Sequence, residues 1–307
     1  MTIGALFAVA FIIGQLNGPV TQLINSFLQW QYAKLSLTRL NEIHSQQSEL
    51  NITGREEVDI FHRSIVIENV FFTYQSKRPD SYILKNINLV IPAGQTTAIV
   101  GESGSGKTTI LKLLLKLYSE FDGEISLNGI DIREIPNQQW RKLCGAVLQD
   151  SFIFSDTIAY NICLNRDFDK NKLFSAIKLA NLEDFVSSLI QKEKTKIGEN
   201  GWAISAGQKQ RILIARVIYK NPDYIFFDEA TNSLDAHNEL VIMNNLNYFT
   251  KNKTVVIVAH RLSTVKNANK IIVVEKGQIT EQGSHDYLIS QKGKYYNLVR
   301  NQLELDN

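Results

Sequence analysis

Cysteine is scarce in this 307-residue chain, with Cys144 and Cys163 as the only two. They form neither a C-x-x-C pair nor a metal-ligand spacing. That excludes a disulfide framework or a zinc site read from cysteine spacing, and predicts two reduced, buried thiols. An excess of either charge is missing as well. The 33 Lys and Arg stand against 31 Asp and Glu, a net +2. Nucleic-acid binding usually calls for a basic face, so no nucleic-acid partner is expected. Internal repeats and low-complexity tracts are absent from the sequence. The most local gap is at the N-terminus, where no Asp, Glu, Lys or Arg occurs from Met1 to Ala33. A signal peptide would want a basic start and a small-residue cleavage site, and this segment has neither.

That charge-free stretch is longer than the roughly 20 residues a membrane-spanning helix needs. Beyond Asn17-Gly18-Pro19, apolar residues recur at Val20, Leu23, Ile24, Phe27 and Leu28. The spacing is helical, and it gathers Thr21, Gln22, Asn25, Ser26 and Gln29 toward the other side. Trp30 and Tyr32 suit a membrane interface, and Lys34 and Arg39 open a basic flank. Two readings stand: a membrane helix, which the charge-free length favours, and a hydrophobic helix docked on a soluble core. A lone spanning helix with a polar side leaves that side unpaired in lipid, so the chain reads as the end of something larger.

The remainder has the length for one large domain or two modest ones, with ample material for a core. Residues 34–60 read as a continuing helix and then a polar linker. From Ile65 the pattern turns β: "IVIENVFFTY" and "INLVI" flank a loop at 75–86, and Pro92-Ala93-Gly94 turns into an apolar strand at Thr96–Val100. "GEISLNG" is a further short strand, and 155–220 is rich in helix. The strands "YIFFD" (224–228) and "TVVIVAH" (254–260) follow, with a helix between them. "KIIVVEKGQITEQG" closes as a hairpin with Gly277 at its turn. Continuous apolar strands alternating with helices imply a parallel sheet covered on both faces, beside a small antiparallel layer.

Residues 101–109, "GESGSGKTT", carry the first chemistry. The strand–loop–helix context is what a phosphate-binding loop requires. Its glycines let backbone N–H groups turn toward phosphate oxygens at a helix N-terminus. Lys107 supplies a cation for the outer phosphates, and the Thr108 hydroxyl is a candidate Mg²⁺ ligand. The strand "YIFFD" ends in Asp228, and a carboxylate there can hold Mg²⁺ beside a nucleotide. Glu229, one residue on, stands where a base could draw a proton from an attacking water. In "ISAGQKQRILIARVI", Ser205-Ala206-Gly207-Gln208 opens a periodic helix, a second anion seat without a lysine. Two seats in one chain suggest two copies sandwiching nucleotides.

These segments resemble, in order, those of ATP-binding cassette transporters: "GESGSGKT", Gln149 in "AVLQD", "TKIGENG", "ISAGQKQR", "YIFFDEATNSLD" and "VAHRLST". Tyr74 in "FFTYQ" matches the family's adenine-stacking aromatic. "TKIGENG" and "HRLST" look like the exporter branch, and the N-terminal segment resembles its final membrane helix. The likeness covers nearly the whole chain.

The resemblance implies an α/β fold: a P-loop NTPase (RecA-like) core, an antiparallel β subdomain and a helical signature subdomain at about 150–220, preceded by one transmembrane helix. Residues 1–45 would be that helix and its cytoplasmic extension, 46–63 a linker and 64–303 the cassette. Gly101, Glu102, Ser103, Gly104, Ser105, Gly106, Lys107, Thr108 and Thr109 would wrap the phosphates of ATP. Thr108, Gln149 and Asp228 would hold Mg²⁺. Glu229 would be the base or water-orienting carboxylate, His260 would hydrogen-bond the γ-phosphate, and Lys107 and Gln149 would complete the catalytic set. Ser205, Gly207 and Gln208 would touch the ATP of a partner cassette in a head-to-tail dimer, a homodimer by expectation, with Asp235 at the seam. Further partners would be the remaining transmembrane helices and membrane lipid, with the cassette on the cytoplasmic side of the cell membrane. Export of a peptide such as a bacteriocin is the expected work, with lipid or drug export as the alternative.

One departure stands out. The family signature reads L-S-G-G-Q, and here it is Ile204-Ser205-Ala206-Gly207-Gln208. Alanine is harmless in a right-handed helix and costly in a left-handed conformation. Three rival readings are a cassette protein of DNA repair or translation, a P-loop small-molecule kinase and a pure binding module. The first needs no charge-free N-terminus, and the second has no use for "ISAGQKQR". Hydrolysis separates the third. His44, His62, His237 and His285 have no partnered spacing and read as surface or packing residues.

Overall fold

The computed structural model describes residues 2–44, 60, 62–74, 81–198, 201–230, 232, 236–259 and 265–305. The chain divides into two compact units, at 1–54 and 55–307. Among its described residues the first holds a single helix, α1 (Ile3–His44), running unbroken through Pro19. At 1.5 Å per residue it is roughly 60 Å long, about twice the thickness of a bilayer core. Its 18-residue apolar window has a mean hydropathy of 1.7, and it is the one described helix long and apolar enough to cross a membrane. Asn17, Gly18, Thr21, Gln22, Asn25, Ser26 and Gln29 line a shallow groove along it. The Thr21 hydroxyl donates back to the Asn17 carbonyl at 2.8 Å, which satisfies it without water.

The second unit holds two sheets. The smaller is antiparallel, in the order β2 (Leu84–Ile91), β1 (Ile65–Phe72), β4 (Asp122–Leu127), β5 (Ile130–Asp131). The larger runs β10 (Gln278–Gly283), β9 (Lys270–Glu275), β3 (Thr96–Val100), β8 (Thr254–Val258), β7 (Tyr224–Asp228), β6 (Cys144–Val147). Its pairs are parallel except β9–β10, a hairpin whose turn residues Lys276 and Gly277 both have positive φ. β7 is buried at all five positions, which is why it reads as a continuous apolar run rather than an alternating one.

Three apolar clusters fill the layers. One lies between the two sheets, where Trp140 packs on Tyr224 at 4.9 Å and donates to the Leu114 carbonyl at 2.8 Å. Another joins the large sheet to helices α4 (Ile158–Cys163), α5 (Lys170–Leu179), α6 (Glu183–Ser188), α7 (Ala206–Lys220) and α8 (Ala236–Phe249). The last packs β3 and β9 against α9 (His285–Ser290) and α10 (Lys294–Leu305). Helices α2 (Lys107–Leu114) and α3 (Asn137–Leu143) complete the unit.

Three expectations change. β2 starts at Leu84, inside the segment read as loop, because Leu84 is fully buried and pairs with Phe72. The leucines of "ILKLLLKLY" (110–118) read from sequence as a core-facing helix, but the core face stops at Leu114: α2 ends there, and Leu117 is exposed. Of the cysteines, Cys144 is buried but Cys163 is only partly so. Burial lifts the Cys144 thiol far above its ordinary pKa, while Cys163 is pushed up by burial to about 11, against a hydrogen bond with Tyr219 that lowers it.

Candidate functional site

The phosphate loop connects β3 to α2 at the middle of the large sheet, where β3 has β8 on one side and β9 on the other. Connections from β3 leave the sheet edge here, and crevices at such points take ligands in open α/β sheets. Gly101, at φ 151°, lies so close to β9 that an added Cβ would stand 2.1 Å from the Val274 carbonyl oxygen. Gly106, at φ 105°, is the N-cap of α2 and supplies no capping side chain. The N-terminal N–H groups of α2 are therefore available to an anion. Glu102, Ser103 and Gly104 form an exposed crest, while Ser105 and Lys107 are buried beneath it.

Lys107 points into the loop and donates to the carbonyls of Gly101 and Glu102, at 2.9 and 2.7 Å. Burial lowers its pKa, opposed by the charges of Glu229 and Asp228. The buried Ser105 hydroxyl has no hydrogen-bond partner among the described residues. Thr109 is joined to Tyr74 by a hydroxyl–hydroxyl contact of 3.1 Å. Tyr74 is half-exposed, stands edge-on to Phe72 and Tyr118 at 5.0 and 5.1 Å, and lies under the Lys112 ammonium at 6.0 Å.

Asp228 ends the buried strand β7 at 2% exposure. Neither carboxylate oxygen has a hydrogen-bond partner among the described residues. Desolvation raises its pKa. The Thr108 hydroxyl opposes that rise and stands near without closing a bond, Glu229 adds to it, and Lys107 and Lys112 oppose it. Two orphaned oxygens in a buried carboxylate, with a hydroxyl beside them, are a donor set that fits a hard divalent cation.

Glu229 adopts φ 53°, the left-handed region, without being glycine. Its N–H donates to the Val258 carbonyl at 3.0 Å, and its own carbonyl accepts from Gln210 Nε2 at 2.9 Å. Asn232 Nδ2 donates to Glu229 Oε2. Parallel pairing of β6 beside β7 brings Gln149 to the same end of the sheet. Gln149, Asp228, Glu229, Gln210 and Asn232 line one groove of about 300 Å³, with Ala206 at its rim.

Ser205 is the N-cap of α7, its hydroxyl accepting from the Gln208 N–H at 3.1 Å. The Gln208 side chain returns the bond to the Ser205 N–H at 2.9 Å, closing a capping box. Ala206 is the first residue of α7, and neither it nor Gly207 has a positive φ. Alanine is thus accommodated at this signature position without strain. His260 and Asp235 lie outside the described residues. Gln210 and Asn232 escaped sequence reasoning: their partner is Glu229, and periodicity carries no trace of a contact between a helix and the turn after a neighbouring strand.

Residues 84–232 match the family described as ABC transporter. That likeness covers just under half of the chain. The alpha-hemolysin translocation ATP-binding protein HlyB of Escherichia coli is 40% identical over 301 residues, 97% of this chain and 42% of that protein. The leukotoxin export ATP-binding protein LtxB of Aggregatibacter actinomycetemcomitans is 41% identical over 298 residues, 96% of this chain and 42% of its own length. A solved bacterial Atm1-family ABC exporter with ATP bound superposes with a TM-score of 0.77 at 33% identity, covering 89% of this chain and 47% of that one. The chain thus shares the fold of that exporter, with an N-terminal helix ahead of a mixed-sheet α/β unit. The chain spans well under half the length of the curated relatives it matches.

Proposed function

We propose that this chain is the motor portion of an ABC exporter, hydrolysing ATP to drive cargo across the cell membrane from its cytoplasmic face. Residues 1–45 form the last transmembrane helix and its extension, 46–63 the linker and 64–303 the cassette. The remaining transmembrane helices and lipid surround α1. The observation that carries the reading is the pairing of an uncapped helix N-terminus bearing buried Lys107 with an orphaned buried Asp228.

In this reading residues 101–109 hold the phosphates, and Lys107 exchanges its two loop carbonyls for phosphate oxygens. Tyr74 stacks on adenine. Thr108, Gln149 and Asp228 hold Mg²⁺, which when bound neutralises charge on the phosphate oxygens. Glu229 accepts a hydrogen bond from the attacking water and orients it, and His260 contacts the terminal phosphate. Ser205, Gly207 and Gln208 seat the nucleotide of a second copy. ATP joins the two cassettes because it binds the closed arrangement better than the open one, and its hydrolysis releases them. The cargo is of the peptide class, a reading supported by relatives named for the translocation of alpha-hemolysin and the export of leukotoxin.

The test is phosphate release from ATP by the 307-residue chain in detergent, over a range of protein concentrations, beside Glu229→Gln. The expected result is a rate rising more steeply than concentration, and a variant that binds ATP, dimerises and hydrolyses it only very slowly. A chain that binds ATP yet neither dimerises nor hydrolyses it at any concentration sinks the motor reading.

A further inference from the structure

Gln210 has no role in the reading above, yet it touches the residue on which hydrolysis depends. It sits one turn into α7, and its side chain lines the groove shared by Gln149, Asp228 and Glu229. Its Nε2 donates to the Glu229 carbonyl at 2.9 Å. A carbonyl only accepts, so the contact selects the amide nitrogen of Gln210 and excludes its oxygen.

Glu229 is a residue that needs holding. An L-residue keeps a left-handed φ, here 53°, only where its surroundings over-determine it. Its N–H is tied to β8 through the Val258 carbonyl, and its carbonyl also accepts from the Asn232 N–H at 3.2 Å. The Asn232 side chain meets its carboxylate. These ties come from the neighbouring strand and from the turn that follows. Of the clamps named, Gln210 alone comes from α7, the helix that begins with the Ser205–Gln208 capping box.

We propose that Gln210 is a positioning residue for hydrolysis, fixing the Glu229 backbone to the helix that begins at the signature. The inference rests on the hydrolytic role of Glu229 proposed above. Its consequence is a physical link between the two half-sites of one chain. The N-terminus of α7 faces the partner's nucleotide, and one turn further on the same helix holds the carboxylate that serves this chain's own. A shift of α7 on engaging a partner reaches Glu229 through this hydrogen bond. Direction matters, because a water-orienting carboxylate displaced by about 1 Å costs roughly a hundredfold in rate.

The experiment uses the full 307-residue chain. Gln210→Met keeps the length of the side chain and removes the donor. Gln210→Glu keeps its shape and replaces the donor with an acceptor, and it serves equally if the methionine variant fails to fold. Gln210→Lys restores a donor. The expected outcome is a kcat about tenfold lower for the first two, with KM for ATP within about twofold of wild type and partial recovery in the lysine variant. In a Glu229→Gln background, followed by slow single-turnover hydrolysis, Gln210→Met adds no further loss, as two residues acting through one group are non-additive. An unchanged kcat, a loss confined to KM, or the same factor lost in both backgrounds overturns the inference. A wild-type chain that binds ATP without hydrolysing it overturns the role of Glu229 instead, and the two failures are separately visible.

Discussion

Two helix N-termini of this domain, those of α2 and α7, rest in opposite states. At α2 the N-cap is Gly106, which has no side chain to offer, and the first residue is a buried lysine bonded to its own loop. At α7 the N-cap is Ser205, locked with Gln208 in a reciprocal box. Both ends carry the partial positive charge of a helix terminus. The first is left open to an anion, while an anion arriving at the second has to share or displace Ser205. The difference separates a terminus left open from one closed by its own side chains, as the proposed reading of one seat ready in the chain and one completed by a partner requires.

The largest expected effect leaves both seats intact. If Glu229 orients the attacking water as proposed, Glu229→Gln should lower phosphate release by about 10²- to 10⁴-fold while ATP binding persists. Equal loss of binding would mean that Glu229 serves the seats and not the chemistry. Next, Lys107→Ala should weaken ATP binding to the dilute, monomeric chain by roughly a hundredfold, as one charge-assisted contact to phosphate disappears. Ser205→Ala should change that same titration by less than about twofold. A comparable loss in both variants would erase the distinction drawn between the two ends.

Asp228 tests the open seat from its other side. Its pKa is raised in the folded chain, chiefly by burial. The folded state therefore holds the proton more tightly than the unfolded one. Stability falls as pH rises from the unfolded value near ~4 through the raised folded value. Asp228→Asn carries no charge to bury, so the nucleotide-free variant should melt above wild type at pH 7, with the gap closing as pH is lowered toward ~4. Mg²⁺ with ATP should stabilise only the wild type. Ser205→Ala should cost about 1 kcal/mol in denaturant titration through loss of the cap. Smallest of all, Ala206→Gly should destabilise by no more than about 1 kcal/mol and leave kcat within about twofold, because the position is already helical.

The parts of this domain that could be read from sequence are those whose pattern is local. Tyr224–Asp228 declares itself by five residues buried on both faces, and the β9–β10 turn by Gly277, where a positive φ is needed. The phosphate loop is legible because its glycines answer to backbone geometry alone. What escaped depends on partners distant in sequence. Leu84 joins β2 because Phe72 stands opposite it, and Leu117 leaves the core because α2 stops at Leu114. Cys163 is half-buried for reasons that no spacing of apolar residues encodes. Gln210 looks like any polar residue on an amphipathic helix until β7 and its following turn are folded beside it.

The last hairpin reaches back to the beginning of the domain. The Gly277 N–H donates to the Ser105 carbonyl at 3.0 Å, and the Lys85 N–H to the Gly277 carbonyl at 2.8 Å. Both strands flanking β3, β8 and β9, are also late in the chain. A polypeptide emerging from the ribosome holds the whole stretch from Gly101 to Thr108 long before it holds any of these supports. The motif is translated early and finished late, so a nascent chain carries the letters of a nucleotide seat without its shape. The backbone contacts that brace residues 101–108 are therefore complete only once the β9–β10 hairpin has been made.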